Sequence, residues 1–169
     1  MRHAGPVTPV VHARNVTGHV SFGWVDAQLR AARSIWLATG RPDGRPHVTP
    51  VWFLWDGRAV RFSIAPEAVK AANLARLSYV ELHLGDADDA IVLRGHARRV
   101  TDEGELAELA AGWAAKYVDP SSGALAELGA LRYRVDVERI FAWMYGTCAD
   151  RTDWWGGRLP APARVLTDA

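Results

Sequence analysis

The sequence predicts a mainly β (α+β) protein, a six-stranded antiparallel β-barrel with flanking helices. Three observations carry that expectation. Residues 37–63 hold three apolar runs joined by two Asp-Gly turns, Asp43-Gly44 and Asp56-Gly57. Asp-Gly supplies the positive φ angles of a tight hairpin, so the stretch reads as a three-strand meander. Further short apolar runs follow at regular spacing, as in a barrel. Between them lie segments with helical rather than alternating periodicity.

The elements follow in order. Trp24, Val25, Leu29 and Ala32 recur at helical spacing across 22–34. A brief strand spans Ile35 to Thr39 and turns at Arg41-Pro42-Asp43-Gly44. The second strand, Val48 to Trp55, is apolar on both faces, so both are expected to be covered, one by the barrel core and one by a partner or ligand. Pro50 lies inside it and cannot donate a ladder hydrogen bond, which marks an edge or a bulge. Ala59 to Ser63 forms the third strand. A helix then runs from Pro66, which suits a first helical turn, to about Leu77.

Tyr79 to Leu84 is the fourth strand and Gly85 to Asp89 an acidic hairpin loop. Ile91 to Val100 is the fifth strand, with a bulge expected at Gly95. Asp102 and Glu105 have capping-box spacing. The helix after them gathers Leu106, Leu109, Ala110, Trp113 and Tyr117 on one face. Residues 118–130 read as a connection with a short helical patch, and Arg132 to Tyr145 as the last strand. One domain is expected over 21–146. Residues 1–20 form an N-terminal arm, and 147–169 an irregular tail packed on the barrel or a dimer.

Composition narrows the function classes. The chain has 169 residues and a net charge of +1, so bulk electrostatic binding of nucleic acid or anionic membrane is not indicated. No apolar run has the length of a membrane helix, and the N-terminus lacks the apolar core of a signal peptide. The single cysteine, Cys148, forms no intrachain disulfide and fits a cytoplasmic setting. The eight tryptophans point to core or subunit contacts. Hydrolase, zinc-ligand and nucleotide-phosphate motifs are absent from the sequence. His47, His83 and His96 lie on expected strands as isolated histidines, and no metal is expected.

One constellation remains. It comprises Pro46-His47-Val48-Thr49-Pro50-Val51-Trp52, then Phe62-Ser63-Ile64, then Lys70-Ala71-Ala72-Asn73-Leu74. On its own terms it is a sheet feeding a helix N-terminus with a lysine nearby, a plausible phosphate seat. The pattern over residues 22–145 resembles the pyridoxamine 5′-phosphate oxidase-like superfamily of flavin- and deazaflavin-binding split β-barrels, especially its actinobacterial branch.

The resemblance implies a homodimer with the cofactor seated between subunits. That cofactor is FMN or the 8-hydroxy-5-deazaflavin coenzyme (coenzyme F-420). It implies that the backbone of His47, Val48, Thr49, Pro50, Val51 and Trp52 lines the ring. Ser63 and Ile64 then face the phosphate and ribityl chain, and Lys70 pairs with the phosphate. Val69 and Ala68 stand where members often carry arginine or another polar residue. The tail has no counterpart of the arginine- and histidine-bearing segment with which the authentic oxidase holds pyridoxal phosphate, so vitamin B6 oxidation is not implied. The expected activity is hydride transfer between the cofactor and a small unsaturated or carbonyl substrate, with no catalytic residue assigned. The rival readings are a carrier or sensor of FMN, haem or deazaflavin without turnover, and a cofactor-free interaction protein.

Overall fold

The computed structural model describes residues 20–117 and 129–144, and the backbone of 152–155. The expected N-terminal arm, the helical patch after residue 117 and most of the tail lie outside these residues. Helix α1 (Phe22–Ala31) starts where the Ser21 hydroxyl accepts the Trp24 amide at 3.2 Å. It ends three residues earlier than expected because the backbone turns extended at Ala32. Its buried side carries Phe22, Val25 and Leu29, and also Asp26. The Asp26 carboxylate accepts from Trp55 Nε1 at 2.8 Å and from Arg30 Nε at 2.8 Å, so this buried acid is satisfied.

Eight strands follow: β1 (Ser34–Gly40), β2 (Pro46–Trp52), β3 (Leu54–Trp55), β4 (Ala59–Ile64), β5 (Tyr79–Gly85), β6 (Ala90–Arg99), β7 (Leu131–Trp143) and β8 (Thr152–Trp155). Their order in the sheet is β2-β1-β5-β6-β7-β4-β3, with β8 added to β7. Only Phe53 separates β2 from β3, so the two ends of this order are one continuous chain and the sheet curls back on itself. Inside it pack Ile35, Leu37, Phe53, Phe62, Leu93 and Ile140, all fully buried.

The antiparallel barrel expected from the sequence is present, with two differences in strand count. The expected second strand breaks at Phe53, and a short strand stands in the tail expected to be irregular. The meander is also corrected. β2 pairs with β1 along its whole length, whereas β4 takes only Leu54 and Trp55 of β3. The middle strand therefore changes partner at Phe53 instead of lying between both neighbours.

The cause is local. The β1–β2 register pairs Ser34 with Trp52, so one more step would pair Arg33 with Phe53. The Tyr117 hydroxyl takes that place. It accepts the Phe53 amide at 3.0 Å and lies 2.8 Å from the carbonyl oxygens of both Arg33 and Phe53. Lys116 Nζ donates to the Phe53 carbonyl at 3.0 Å and sits 4.3 Å from the Phe53 ring centroid. The backbone groups freed by the break are thus satisfied by two side chains.

Both of these residues come from the C-terminal end of α3 (Glu103–Lys116) and its cap. The Asp102 side chain accepts the Glu105 amide at 2.9 Å, which is half of the expected capping box. The other half does not form, because the Glu105 carboxylate takes Arg98 instead, at 2.6 and 2.9 Å. Leu109 and Tyr117 are buried, Leu106 and Trp113 half-buried, and Ala110 is exposed rather than on the packed face. Arg61, Arg134 and Arg98 stand directly opposite one another across β4, β7 and β6. Asp56, Asp136, Glu105 and Glu108 neutralise this row, the two glutamates from α3.

Gly44 and Gly57 take φ of 82° and 96°, as the two Asp-Gly turns require. Between β5 and β6, Gly85 has φ of 95°, and a Cβ there would lie 1.8 Å from the Asp89 carbonyl oxygen. The Asp86 carboxylate in the same loop accepts the amides of Asp89 and Asp88, which holds its pKa below the usual carboxylate value. The register shift between Arg94 and Gly95 is the expected bulge. Gly85→Ala should destabilise the fold by roughly 1–3 kcal/mol, through a strained φ and a forced backbone shift. Unchanged urea unfolding would refute this.

The break also predicts an alkaline stability profile. Burial lowers the Lys116 ammonium from 10.5 to about 8. Between those values the unfolded chain holds a proton that the folded chain has released, so stability rises with pH. Burial raises the Tyr117 phenol from 10.0 to about 12, against the opposing hydrogen bond from the Phe53 backbone. There the folded chain keeps the proton longer, so stability falls as pH climbs through that range. Unfolding free energy should rise above pH about 8 and fall above about 10. Lys116→Met should flatten the rising limb, and a variant with the same limb would contradict the assignment.

Candidate functional site

Beyond Phe53 the barrel wall has a seam. β2 pairs only with β1, and β4 pairs with β7 and, through Val60 and Arg61, with β3. The edge of β2 over Pro46–Trp52 and that of β4 over Phe62–Ile64 therefore carry no ladder bonds to each other. Two prolines, Pro46 and Pro50, sit on β2 opposite Gly40 and Trp36. A proline has no N–H to give β1, so its nitrogen faces the open side. By the alternation of a strand, the amides of Val48 and Trp52 face that side as well. Ser63 has the matching parity on β4, since Leu54 and Arg61 pair two residues earlier.

The expected site residues divide between the two faces of the wall. His47, Thr49 and Val51 stand opposite Thr39, Leu37 and Ile35, on the inner face. His47 Nδ1 and Thr49 Oγ1 are buried and have no hydrogen-bond partner. Val48 and Pro50 lie on the outer face. Val48 is 52% exposed and its neighbour Trp36 is 49% exposed. The second apolar face of β2 is thus uncovered in the single chain. Trp52 shares this face, but its indole stacks on Tyr117 at 5.1 Å with an interplanar angle of 7°. Its ring belongs to the α3 contact, which leaves its backbone for the seam.

Ser63 is buried on the outer face of β4, and its Oγ also lacks a partner. Ile64 points the other way, into the core. Three residues expected at the site thus carry a buried polar atom with no partner inside the protein. Such an atom costs about 1–3 kcal/mol unless a ligand or an ordered water satisfies it.

The chain then turns through Ala65–Ala68, where the Ala68 amide bonds the Ala65 carbonyl at 3.1 Å. Helix α2 (Val69–Arg76) begins after this turn, so Pro66 lies ahead of the helix and not in its first turn. Lys70 is the second helical residue and is half-buried. The N-cap, Ala68, has no side chain able to cap the helix, so the leading N–H groups are not occupied by one.

Two residues of α2 clamp it to the β1–β2 hairpin. Asn73 is buried and donates to Thr39 Oγ1 at 2.9 Å, and that hydroxyl donates to the His47 carbonyl at 3.3 Å. Arg76 donates to the carbonyls of Gly40 and Arg41 at 3.1 and 2.9 Å. Asn73 thereby links the lysine helix to the backbone of β2.

Sequence reasoning put Asn73 in the motif without a role, and read Tyr117 only as part of an apolar face. Lys116 was not singled out. The available signal was the tyrosine itself: a buried phenol keeps a polar tip that must find a partner. Among the described residues no group of three His, Cys, Asp or Glu side chains is placed to hold a metal ion. His47 faces inward, whereas His83 and His96 lie opposite Trp36 and Tyr79 on the outer face of β5 and β6. No described helix is long and apolar enough to cross a membrane.

Comparison with known proteins fits this architecture. Residues 24–144 match the sequence profile of the pyridoxamine 5′-phosphate oxidase family. No curated protein sequence matches the chain. Among solved structures, a conserved hypothetical protein, Rv2991 from Mycobacterium tuberculosis, superposes with a TM-score of 0.65 at 22% identity, over 77% of this chain and 88% of that one. A heme binding protein from Mycobacterium smegmatis gives 0.62 at 19% identity, over 81% of this chain and 59% of that longer one. A protein described as an F-420 reductase gives 0.53 at 24% identity, over 68% and 94%. At these identities the likeness is one of fold. The profile match covers well over half of the sequence, and the chain belongs to the pyridoxamine 5′-phosphate oxidase family.

Proposed function

We propose that the protein is an oxidoreductase that seats FMN or the deazaflavin coenzyme F-420 along the seam between β2 and β4. The observation that carries this reading is the trio of buried, unpartnered polar atoms, His47 Nδ1, Thr49 Oγ1 and Ser63 Oγ, on the two strands whose facing edges are open. When bound, either cofactor supplies a ring that accepts and releases hydride. The rest is the work of this chain.

Val48 and Trp52 turn backbone amides toward the open edge, where a planar heterocycle with carbonyl and nitrogen acceptors meets directed donors. Pro46 and Pro50 present only carbonyl oxygens there. His47 and Thr49 supply polar atoms from the inner face of the same strand, and Val51 anchors the strand in the core. At the other end Ser63 offers its hydroxyl, and Ile64 fixes the end of β4. Lys70 brings its ammonium to the start of α2, where the uncapped N–H groups and the helix dipole both favour a phosphate. The Asn73–Thr39–His47 chain holds that phosphate end in fixed relation to the ring end.

The exposed apolar face of Trp36, Val48 and Pro50 supports a homodimer, because isolated surfaces of this kind are seldom left uncovered. A partner copy seated there would close the outer side of the ring site and exclude water from a small unsaturated or carbonyl substrate. The reading that competes is a carrier that holds FMN, deazaflavin or haem without turnover. It is favoured by the likeness of fold to a heme binding protein.

The visible spectrum of the purified protein, with mass spectrometry of any released ligand, separates these readings. A flavin or deazaflavin that is reduced and reoxidised with turnover is expected. A haem band would replace the oxidoreductase by the carrier, and failure to bind any added cofactor would end both. Lys70→Ala should weaken cofactor binding by about 1.5–3 kcal/mol, the worth of a charge-assisted hydrogen bond. An unchanged Kd would reduce Lys70 to a surface residue. Sedimentation should find a dimer, and a monomer with normal cofactor affinity would contradict the seating between subunits.

A further inference from the structure

The seam exists because β2 changes partner at Phe53, and the groups that enforce the change come from outside the barrel. The Tyr117 hydroxyl occupies the place of an Arg33–Phe53 ladder pair. Its single proton can go to only one of the two carbonyls within 2.8 Å, those of Arg33 and Phe53. Lys116 already donates to Phe53, so the arrangement that satisfies every group sends the tyrosine proton to Arg33. The phenol then accepts from one side of the break and donates to the other. Its ring continues the clamp: Trp52, the last residue of β2, stacks on one aromatic neighbour of α3 and that neighbour on Trp113, at 5.1 and 4.5 Å. The Arg33 guanidinium lies 5.7 Å from both the Trp52 and Tyr117 ring centroids.

We propose that Tyr117, assisted by Lys116, is a positioning residue for the seam: its hydroxyl wedges the base of the β1–β2 hairpin and sets where the Trp52 end of β2 stands relative to β4. The inference rests on the seam as the cofactor site and adds the element that sets its width. Tyr117 touches no cofactor in this scheme and acts through Phe53 and Trp52. The same contacts tie the seam to α3, which the paired carboxylates Glu105 and Glu108 dock on the outer sheet face. A displacement of α3 would therefore reach the seam through one hydroxyl.

The test compares Tyr117→Phe, which keeps the stacked ring and loses only the hydroxyl, with Tyr133→Phe as a control. Tyr133 is another buried phenol, stacked on Phe62 inside the barrel. Two quantities are read on the full chain: amide hydrogen exchange of residues 51–54, and the Kd for added FMN and for added coenzyme F-420. Tyr117→Phe should speed exchange at Phe53 about tenfold and raise the Kd about fivefold or more, as expected for one lost buried hydrogen bond. Lys116→Met should produce a smaller change in the same direction. Tyr133→Phe, which keeps the stack on Phe62, should move neither quantity.

Unchanged exchange at Phe53, or faster exchange with an unchanged Kd, would overturn the proposal, and so would an equal Kd shift in the Tyr133 control. If the wild-type chain binds neither cofactor, the seam loses its assigned ligand. The exchange comparison then decides alone whether Tyr117 fixes the strand: faster exchange at Phe53 in Tyr117→Phe upholds the wedge, and unchanged exchange overturns it.

Discussion

The rest of the structure depends on how one residue, Phe53, meets its backbone hydrogen bonds. A strand that leaves one neighbour to join another must pass through a residue that neither ladder serves. Phe53 is fully buried, and each backbone group left unmet there would cost about 1–3 kcal/mol. Here the debt is met by the phenol of Tyr117 and the ammonium of Lys116. The closure of the barrel, the open edge beside it and the docking of α3 are consequences of that one solution.

The solution is electrostatically uncomfortable. An ammonium half-withdrawn from water, held by one carbonyl and two aromatic faces, stays charged less readily than an exposed one. A phenol kept from water resists ionisation. A plain continuous strand would need no such neighbours.

Much of this was legible in the sequence. The Asp-Gly pairs placed two hairpins, because positive φ leaves few residue choices, and Gly95 marked the bulge, where a Cβ would lie 2.1 Å from the Asp136 carbonyl oxygen. Apolar periodicity located α1 and α3, and Pro66 located α2, each to within a few residues. The ends were misjudged where local backbone preference gave way to packing: α1 stops at Ala31, and α2 starts at Val69 after a turn that takes Pro66. The strand break was not legible. Trp52, Phe53, Leu54 and Trp55 form an unbroken apolar run, and what interrupts it lies 64 residues further along the chain. Of the candidate site, the motif marked Ser63 and Lys70, but pattern alone could not say that Ser63 faces outward while His47 and Thr49 face inward. That division follows from register, which long-range pairing decides.

The two prolines of β2 have one more consequence. An open strand edge beside an exposed tryptophan is a template on which another protein's strand can grow, and such edges seed aggregates. Pro46 and Pro50 remove alternate donors from that edge, so an incoming backbone would find half of its acceptors unanswered. A flat heterocycle needs only one or two well-aimed donors and suffers no such loss. The same two residues thus let the protein keep an unzipped edge that is a poor template for a stray strand.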